Sequence, residues 1–171
     1  MQIRAATIDE LPVLQDIERA AGRLFAELGM TAVAEDEPLD IIALEHFRDD
    51  GYAWVVADPT PVAYLVAAPL DGNLHIEQVS VHPDHARRRL GAALIDAADT
   101  AGWPASTLTT FRDVPFNAPY YRRLGFRDVP EDQETPGLRA IRKAEVAHGL
   151  DRWPRLCMRR PNRRAVPADG G

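Results

Sequence analysis

Apolar and polar positions change their period several times along the chain, and each change predicts an element. Residues 2–6 alternate as a first strand. Leu11, Leu14, Ile17, Ala21, Leu24 and Leu28 then recur at helical spacing, predicting one long amphipathic helix closed by Gly29. Thr7 and Glu10 have capping-box spacing just before it; Asp9, with Pro12 in the first turn, is the alternative start. The acidic stretch 34–38 is a loop, and Ile41, Leu44 and Phe47 predict a second helix to about Asp50, ended by Gly51. Residues 52–57 and 62–68 are strand-like on either side of Asp58-Pro59-Thr60-Pro61, so they form a hairpin. After the turn signal Asp71-Gly72-Asn73 come a strand over 74–81 and a helix over 90–101, broken by Trp103-Pro104. The Thr-rich run 106–111 is strand-like, 118–124 is a short helix closing on Gly125, and 126–129 returns as a strand. Leu138, Ile141, Ala144 and Val146 predict a helix over 138–148, and 155–160 is the final strand.

Strands in series with helices between them imply a mixed α/β (α+β) fold, a sheet covered by helices. A chain of 171 residues accommodates one domain with a proper core, expected over 1–160. The polar stretch 130–137 is a loop rather than a linker. The basic tail, including Arg159, Arg160, Arg163 and Arg164, points to a solvated and disordered C-terminus over 161–171. The net charge of −6, with acidic residues spread widely, argues against nucleic acid as a partner. No apolar run approaches the roughly 18 residues of a membrane span, and the N-terminus lacks a signal-peptide core. Cys157 is the sole cysteine, which excludes an internal disulfide and suggests a reducing, cytoplasmic location.

Candidate chemistry concentrates in 79–94, Val-Ser-Val-His-Pro-Asp-His-Ala-Arg-Arg-Arg-Leu-Gly-Ala-Ala-Leu. A strand empties there into a basic, glycine-containing turn at a helix N-terminus. The first helical turn has unpaired N–H groups and partial positive charge, so the segment is suited to an anion, phosphate above all. A solvated basic face is the alternative for Arg87, Arg88 and Arg89. Other constellations are weaker. His82 and His85 are three apart, but Pro83 interrupts their helical presentation and no third ligand is near, so no metal is expected. Ser80 and Ser106 lack the Gly-x-Ser-x-Gly turn of a hydrolase, and no Walker Gly-Lys-Ser/Thr is present. Cys157, between Leu156 and Met158, reads as a small core residue.

Two motifs together resemble the GCN5-related N-acetyltransferases (GNAT). One is the strand–turn–helix over 74–95, at that family's pyrophosphate loop. The other is Asn117-Ala118-Pro119-Tyr120-Tyr121-Arg122-Arg123-Leu124-Gly125-Phe126, similar to the family's late helix with its Tyr-x-x-Leu-Gly-Phe ending. The resemblance extends from residue 2 to about 160. It implies a central, mostly antiparallel mixed sheet of about seven strands flanked by helices. The chain departs from the loop pattern Gln/Arg-x-x-Gly-x-Gly/Ala: aligned through Leu90-Gly91, Ala86 stands at the Gln/Arg position and Arg89 at the first glycine, while Gly91 fills the second. An arginine there is able to neutralise the phosphate that a glycine lets the backbone approach.

What the resemblance implies is transfer of an acetyl group from acetyl-CoA to a primary amine of a small molecule or peptide, directly and in a ternary complex. A non-catalytic acyl-CoA sensor or interaction module of the same fold is the alternative, and a homodimer is compatible with either. Val79 and Val81 are expected to pair through their backbone with the pantetheine arm. Arg87, Arg88, Arg89, Gly91 and Ala92 would surround the pyrophosphate. Asn117 corresponds to an asparagine near the cofactor arm, with a helix N-cap as its other role. Glu77 is the candidate base, unless it is a strand carboxylate paired with a nearby arginine. His75, two residues away, is either a proton relay or a packing residue. Tyr121 is the candidate acid for the departing thiolate, or else an aromatic anchor of its helix. The acidic residues Glu35, Asp36 and Glu37 favour a cationic acceptor if that loop is not simply solvated. Residues 130–155 exceed the minimal family core and suggest a helical lid.

Overall fold

Seven strands form a mixed sheet in the order β1-β2-β3-β4-β5-β7-β6. They are β1 (Gln2–Ala5), β2 (Ala53–Ala57), β3 (Pro61–Leu70), β4 (Asn73–Val81), β5 (Ala105–Phe111), β6 (Arg127–Val129) and β7 (Arg155–Pro161). The helices are α1 (Leu11–Gly22), α2 (Thr31–Ala34), α3 (Ile41–Asp49), α4 (Leu90–Ala98), α5 (Ala118–Arg123) and α6 (Pro136–Ala147). The computed structural model describes residues 1–164. Contacts divide the chain into two compact units: Met1–Ala68 with Ile76–Ala101, and Pro69–His75 with the residues from Gly102 onward.

In the first unit β1, β2 and β3 are joined antiparallel, with Ile3 opposite Val56 and Val55 opposite Tyr64. Alternation along the strands divides their side chains between two faces. Ala53, Val55, Tyr64 and Val66 pack with Leu11, Leu14 and Ile17 of α1 and Leu44 of α3 in one core cluster. Val56, Ala63, Leu65 and Ala67 have the opposite parity and are buried as well. Helix α4 packs on β2 and buries Leu90, Leu94, Ile95 and Ala98. The predicted long first helix divides at Gly22: beyond it, 23–28 tighten into a 3-10 segment without a buried residue, and Gly29 ends it at φ 75°. The apolar stripe loses its partner there, so nothing holds the α geometry past a poor helix former. Glu10 accepts the Thr7 N–H at 3.0 Å and takes both ends of the Arg4 guanidinium, fixing the entry to α1.

In the second unit β7, last in sequence, lies between β5 and β6 and is antiparallel to both, with Thr109 opposite Cys157 and Arg127 opposite Arg159. The parallel ladder of β4 with β5 comprises Leu74 opposite Ser106 and His75 opposite Thr107, both at the start of β4. Helix α6 begins two residues before its predicted start. Thr135 Oγ1 accepts the Leu138 N–H at 3.5 Å and Asp71 accepts the Gly137 N–H at 2.8 Å. Of the basic tail, Asn162 is buried and donates to the Trp103 carbonyl, and Arg163 donates to the Leu124 carbonyl. Residues 165–171 of that tail lie outside the described residues. Among the described residues no helix is long and apolar enough to cross a membrane.

Candidate active site

The turn from β4 to α4 is built from unusual backbone. His82 accepts the Asp84 N–H on Nδ1 at 3.2 Å, opening a short 3-10 turn over Pro83–His85. Arg87 follows at φ 65° and Arg89 at φ 59°, both left-handed. Such a conformation costs a residue with a Cβ roughly 1–2 kcal/mol, and glycine nothing comparable. Arg89 thus stands in a conformation that glycine takes more easily, and it adds a guanidinium at that place. Two left-handed residues so close together bend the chain sharply just ahead of the helix. Helix α4 starts immediately after, and no side chain caps it. The Ala93 N–H already reaches the Arg89 carbonyl, which leaves the amides of Leu90, Gly91 and Ala92 ahead of the intrahelical ladder. Arg87, Arg88 and Arg89 are exposed, and among the described residues none pairs with a carboxylate; Arg88 Nη1 lies 3.3 Å from His85 Nδ1. A diphosphate's charge has donors here from both backbone and side chains.

Along β4 upstream of that turn, Glu77 is exposed, Val79 and Val81 are partly buried, and Ser80 is buried. In the second unit Tyr121 lies on α5, buried to 9 % exposure. Its ring meets Tyr120 and Phe126 edge-on, with centroids 5.4 and 5.8 Å away. Burial, aided by Tyr120, pushes its phenol well above the usual range. It therefore keeps its proton at neutral pH and is both an anchor and a potential donor. Asn117 stands at the N-cap of α5 and its carbonyl accepts the Tyr121 N–H, but its side chain caps nothing: Nδ2 donates to the Phe116 carbonyl at 3.0 Å. His75 is buried, with Nδ1 2.8 Å from Thr107 Oγ1, and burial lowers its pKa to about 4. It is a neutral packing residue. Cys157 is buried and its thiol is pushed up to about 12 by that burial, so it belongs to the core and not to thiolate chemistry.

The stretch expected as a lid is tied down. Glu145 of α6 accepts from Thr109 Oγ1 at 2.6 Å and from Arg155 at 2.9 Å, and pairs with Arg142 at 2.8 Å. Arg142 also grips Asp151 with both terminal nitrogens at 3.0 Å. Arg155 covers the Phe111 ring at 4.3 Å. Burial alone would raise the Glu145 pKa, yet Arg155, Thr109 and Arg142 hold it below the usual range.

A polar cluster inside the first unit escaped the sequence pattern. Glu18 of α1 is half-buried and accepts the Leu39 N–H at 2.9 Å. Tyr64 of β3 is fully buried, and its hydroxyl has no hydrogen-bond partner of standard geometry although Glu18 and Ser80 are its polar neighbours. Ser80 in turn accepts from Gln78 Nε2 at 2.8 Å. The signal was present: Glu18 falls at the i+7 position from Leu11 on the apolar stripe, a place for a leucine.

Residues 49–128, which include the turn, α4 and α5, match the sequence model of the acetyltransferase (GNAT) domain. The ribosomal-protein-S18-alanine N-acetyltransferase of Escherichia coli superposes with a TM-score of 0.62 at 16% identity, covering 98% of this chain and 97% of that one. The PaiA N-acetyltransferase of Thermoplasma acidophilum, solved with coenzyme A, gives 0.60 at 13% identity over 94% of this chain and 98% of that one. N-acetylglutamate synthase of Neisseria gonorrhoeae, solved with coenzyme A and N-acetyl-glutamate, gives 0.66 at 17% identity over 95% of this chain and 35% of that longer one. The chain is thus similar to the GNAT acetyltransferases in the sequence of 49–128 and in fold over most of its length.

Proposed function

We propose that the protein moves an acetyl group from acetyl-CoA to a primary amine, directly and without a covalent enzyme intermediate. The observation that carries this is the uncapped start of α4 behind two left-handed arginines, a combination of exposed amides and available guanidinium groups suited to a diphosphate. Arg87, Arg88 and Arg89, with the amides of Gly91 and Ala92, hold the pyrophosphate. Val79 and Val81 come after the two-pair ladder with β5 has ended, which suits their backbone groups to the amides of the pantetheine arm. Asn117, whose side chain is not spent on capping, assists along that arm. Glu77, exposed on β4, accepts the proton of the attacking ammonium so that the nitrogen lone pair becomes available. As the N–C bond forms and the C–S bond breaks, Tyr121 donates its phenolic proton to the thiolate, and the second proton of the nitrogen passes through solvent to restore the phenol. The buried thiol of Cys157 takes no part. The PaiA N-acetyltransferase, similar in fold and solved with coenzyme A, supports the same assignment.

The test is to mix the protein with acetyl-CoA and a panel of primary amines and to follow free thiol. Amine-dependent release is expected. Binding of acetyl-CoA without release over the whole panel would identify an acyl-CoA sensor instead. Tyr121→Phe keeps the ring packing and removes the proton, so turnover is expected to fall by about 100-fold while the dissociation constant for acetyl-CoA stays within about twofold. Unchanged turnover would remove Tyr121 from the mechanism.

A further inference from the structure

We propose that Glu18 is a specificity-determining residue that holds a second, non-reacting cationic group of the acceptor, with Tyr64 as the positioning residue behind it. The substrate class is then a diamine, or an amine that carries a further positive charge. This deepens the acetyl-transfer assignment above and rests on it.

The arrangement around Glu18 lacks a cation. One carboxylate oxygen is satisfied by the Leu39 amide, and among the described residues Glu18 makes no ion pair. The charged and titratable groups that act on it are Tyr64 from β3, Asp36 from the loop after α2, and Arg19, its neighbour on α1. Burial raises its pKa and Asp36 adds to the rise, so a cation beside the carboxylate would be favoured. Tyr64 supplies an independent sign that the cluster is incomplete. Its hydroxyl is sealed from solvent without a standard hydrogen bond, a condition that costs about 1–3 kcal/mol for a buried polar group. A cation beside Glu18 favours its ionised form, the stronger acceptor for the phenol, while Ser80 is engaged by Gln78. The cation should be one that stays charged. A carboxylate near Asp36 stabilises the protonated form of an amine, the opposite of what the attacking nitrogen needs. The exposed acidic residues Glu35, Asp36 and Glu37 attract cations toward the same element.

The experiment compares 1,4-diaminobutane with butylamine at saturating acetyl-CoA, for the wild-type protein, Glu18→Gln and Tyr64→Phe. The wild type should favour the diamine in kcat/KM by about tenfold, chiefly through KM, as a charge-assisted contact predicts. Glu18→Gln should abolish that preference by raising the KM for the diamine, with the KM for acetyl-CoA unchanged. Tyr64→Phe should reduce it by a smaller factor. Asp36→Asn, at an exposed position, is the second variant should Glu18→Gln not fold, and it should also lower the preference. A preference that survives in these variants, or that is absent in the wild type, overturns the proposal. If the wild type releases no thiol with either amine, acetyl transfer itself fails. Calorimetric titration of 1,4-diaminobutane then decides the role of Glu18 separately: binding weakened about tenfold by Glu18→Gln supports it, and equal or undetectable binding overturns it.

Discussion

Two arginine-rich regions of this molecule do opposite things with the same side chain. In the second unit, Arg142 and Arg155 are 14 % and 10 % exposed and close on Glu145 and Asp151. Every charge there has its counter-charge inside the fold, and the result fixes α6 on β5 and β7. In the first unit, Arg87, Arg88 and Arg89 are exposed on strained backbone and have no carboxylate partner among the described residues. Charge already neutralised within the protein serves stability, whereas charge left exposed is available to a ligand.

The largest effect should come from breaking the satisfied region. Glu145→Ala leaves the Arg155 guanidinium without its carboxylate and Arg142 with Asp151 alone, and should lower unfolding free energy by about 3 kcal/mol, read from urea denaturation. Coenzyme affinity of the folded protein should hardly change; a large change would merge the two regions into one functional unit.

Acid should attack the same region nearly as strongly. The folded chain holds His75 at a pKa of about 4 against 6.5 when unfolded, so the unfolded state binds the extra proton between those values. Stability is full above pH 6.5, falls as pH drops toward about 4, and levels off below for this group, a total of about 3 kcal/mol. The carboxyl of Glu145, held below its usual 4.5, adds a further loss at lower pH. His75→Gln should flatten the slope between pH 6.5 and 4, and a slope of undiminished size would place its origin elsewhere.

Replacing Arg87, Arg88 and Arg89 together by Gln should weaken coenzyme A binding by roughly 10- to 100-fold and reduce its salt dependence, as calorimetry at two ionic strengths would read. Thermal stability should stay within about 2 °C, since exposed arginines without a carboxylate partner hold little together. The smallest and sharpest change is Arg89→Gly. It restores the family residue and relieves the left-handed cost, so stability should rise by roughly 0.5–1 kcal/mol, while affinity for coenzyme A falls a few-fold. A loss of stability would mean that the Arg89 side chain packs after all.

Most of the fold was legible because its signals are local. The strands, the hairpin and the helices at 41, 90 and 118 follow from apolar periodicity and from Gly29, Gly51 and Gly125, which do lie at positive φ. The basic turn at the start of α4 was legible too, but the backbone of Arg89 was not. A side chain's identity does not announce that its backbone is left-handed, and this became clear only with φ 59° in hand. The division of the first helix at Gly22 was missed because Leu24 and Leu28 continue the stripe beyond the surface that could bury it. Asn117 read equally as a cap or a ligand contact, and its side chain turned out to cap nothing. Glu18 was passed over because a single carboxylate on an apolar stripe means nothing until its neighbours are known.

By itself the sequence determined the periodicity of each element, the places where the chain turns, and a basic turn at the start of a helix, since all of these depend on residues a few positions apart. Only the tertiary structure decided that β7 lies between β5 and β6, that Glu145 meets Thr109 and Arg155, and that Glu18 stands beside an unpartnered Tyr64. The physical reason is range. Backbone preference and amphipathic spacing act locally, whereas the fate of a charge depends on which distant group the fold brings within a few ångströms of it.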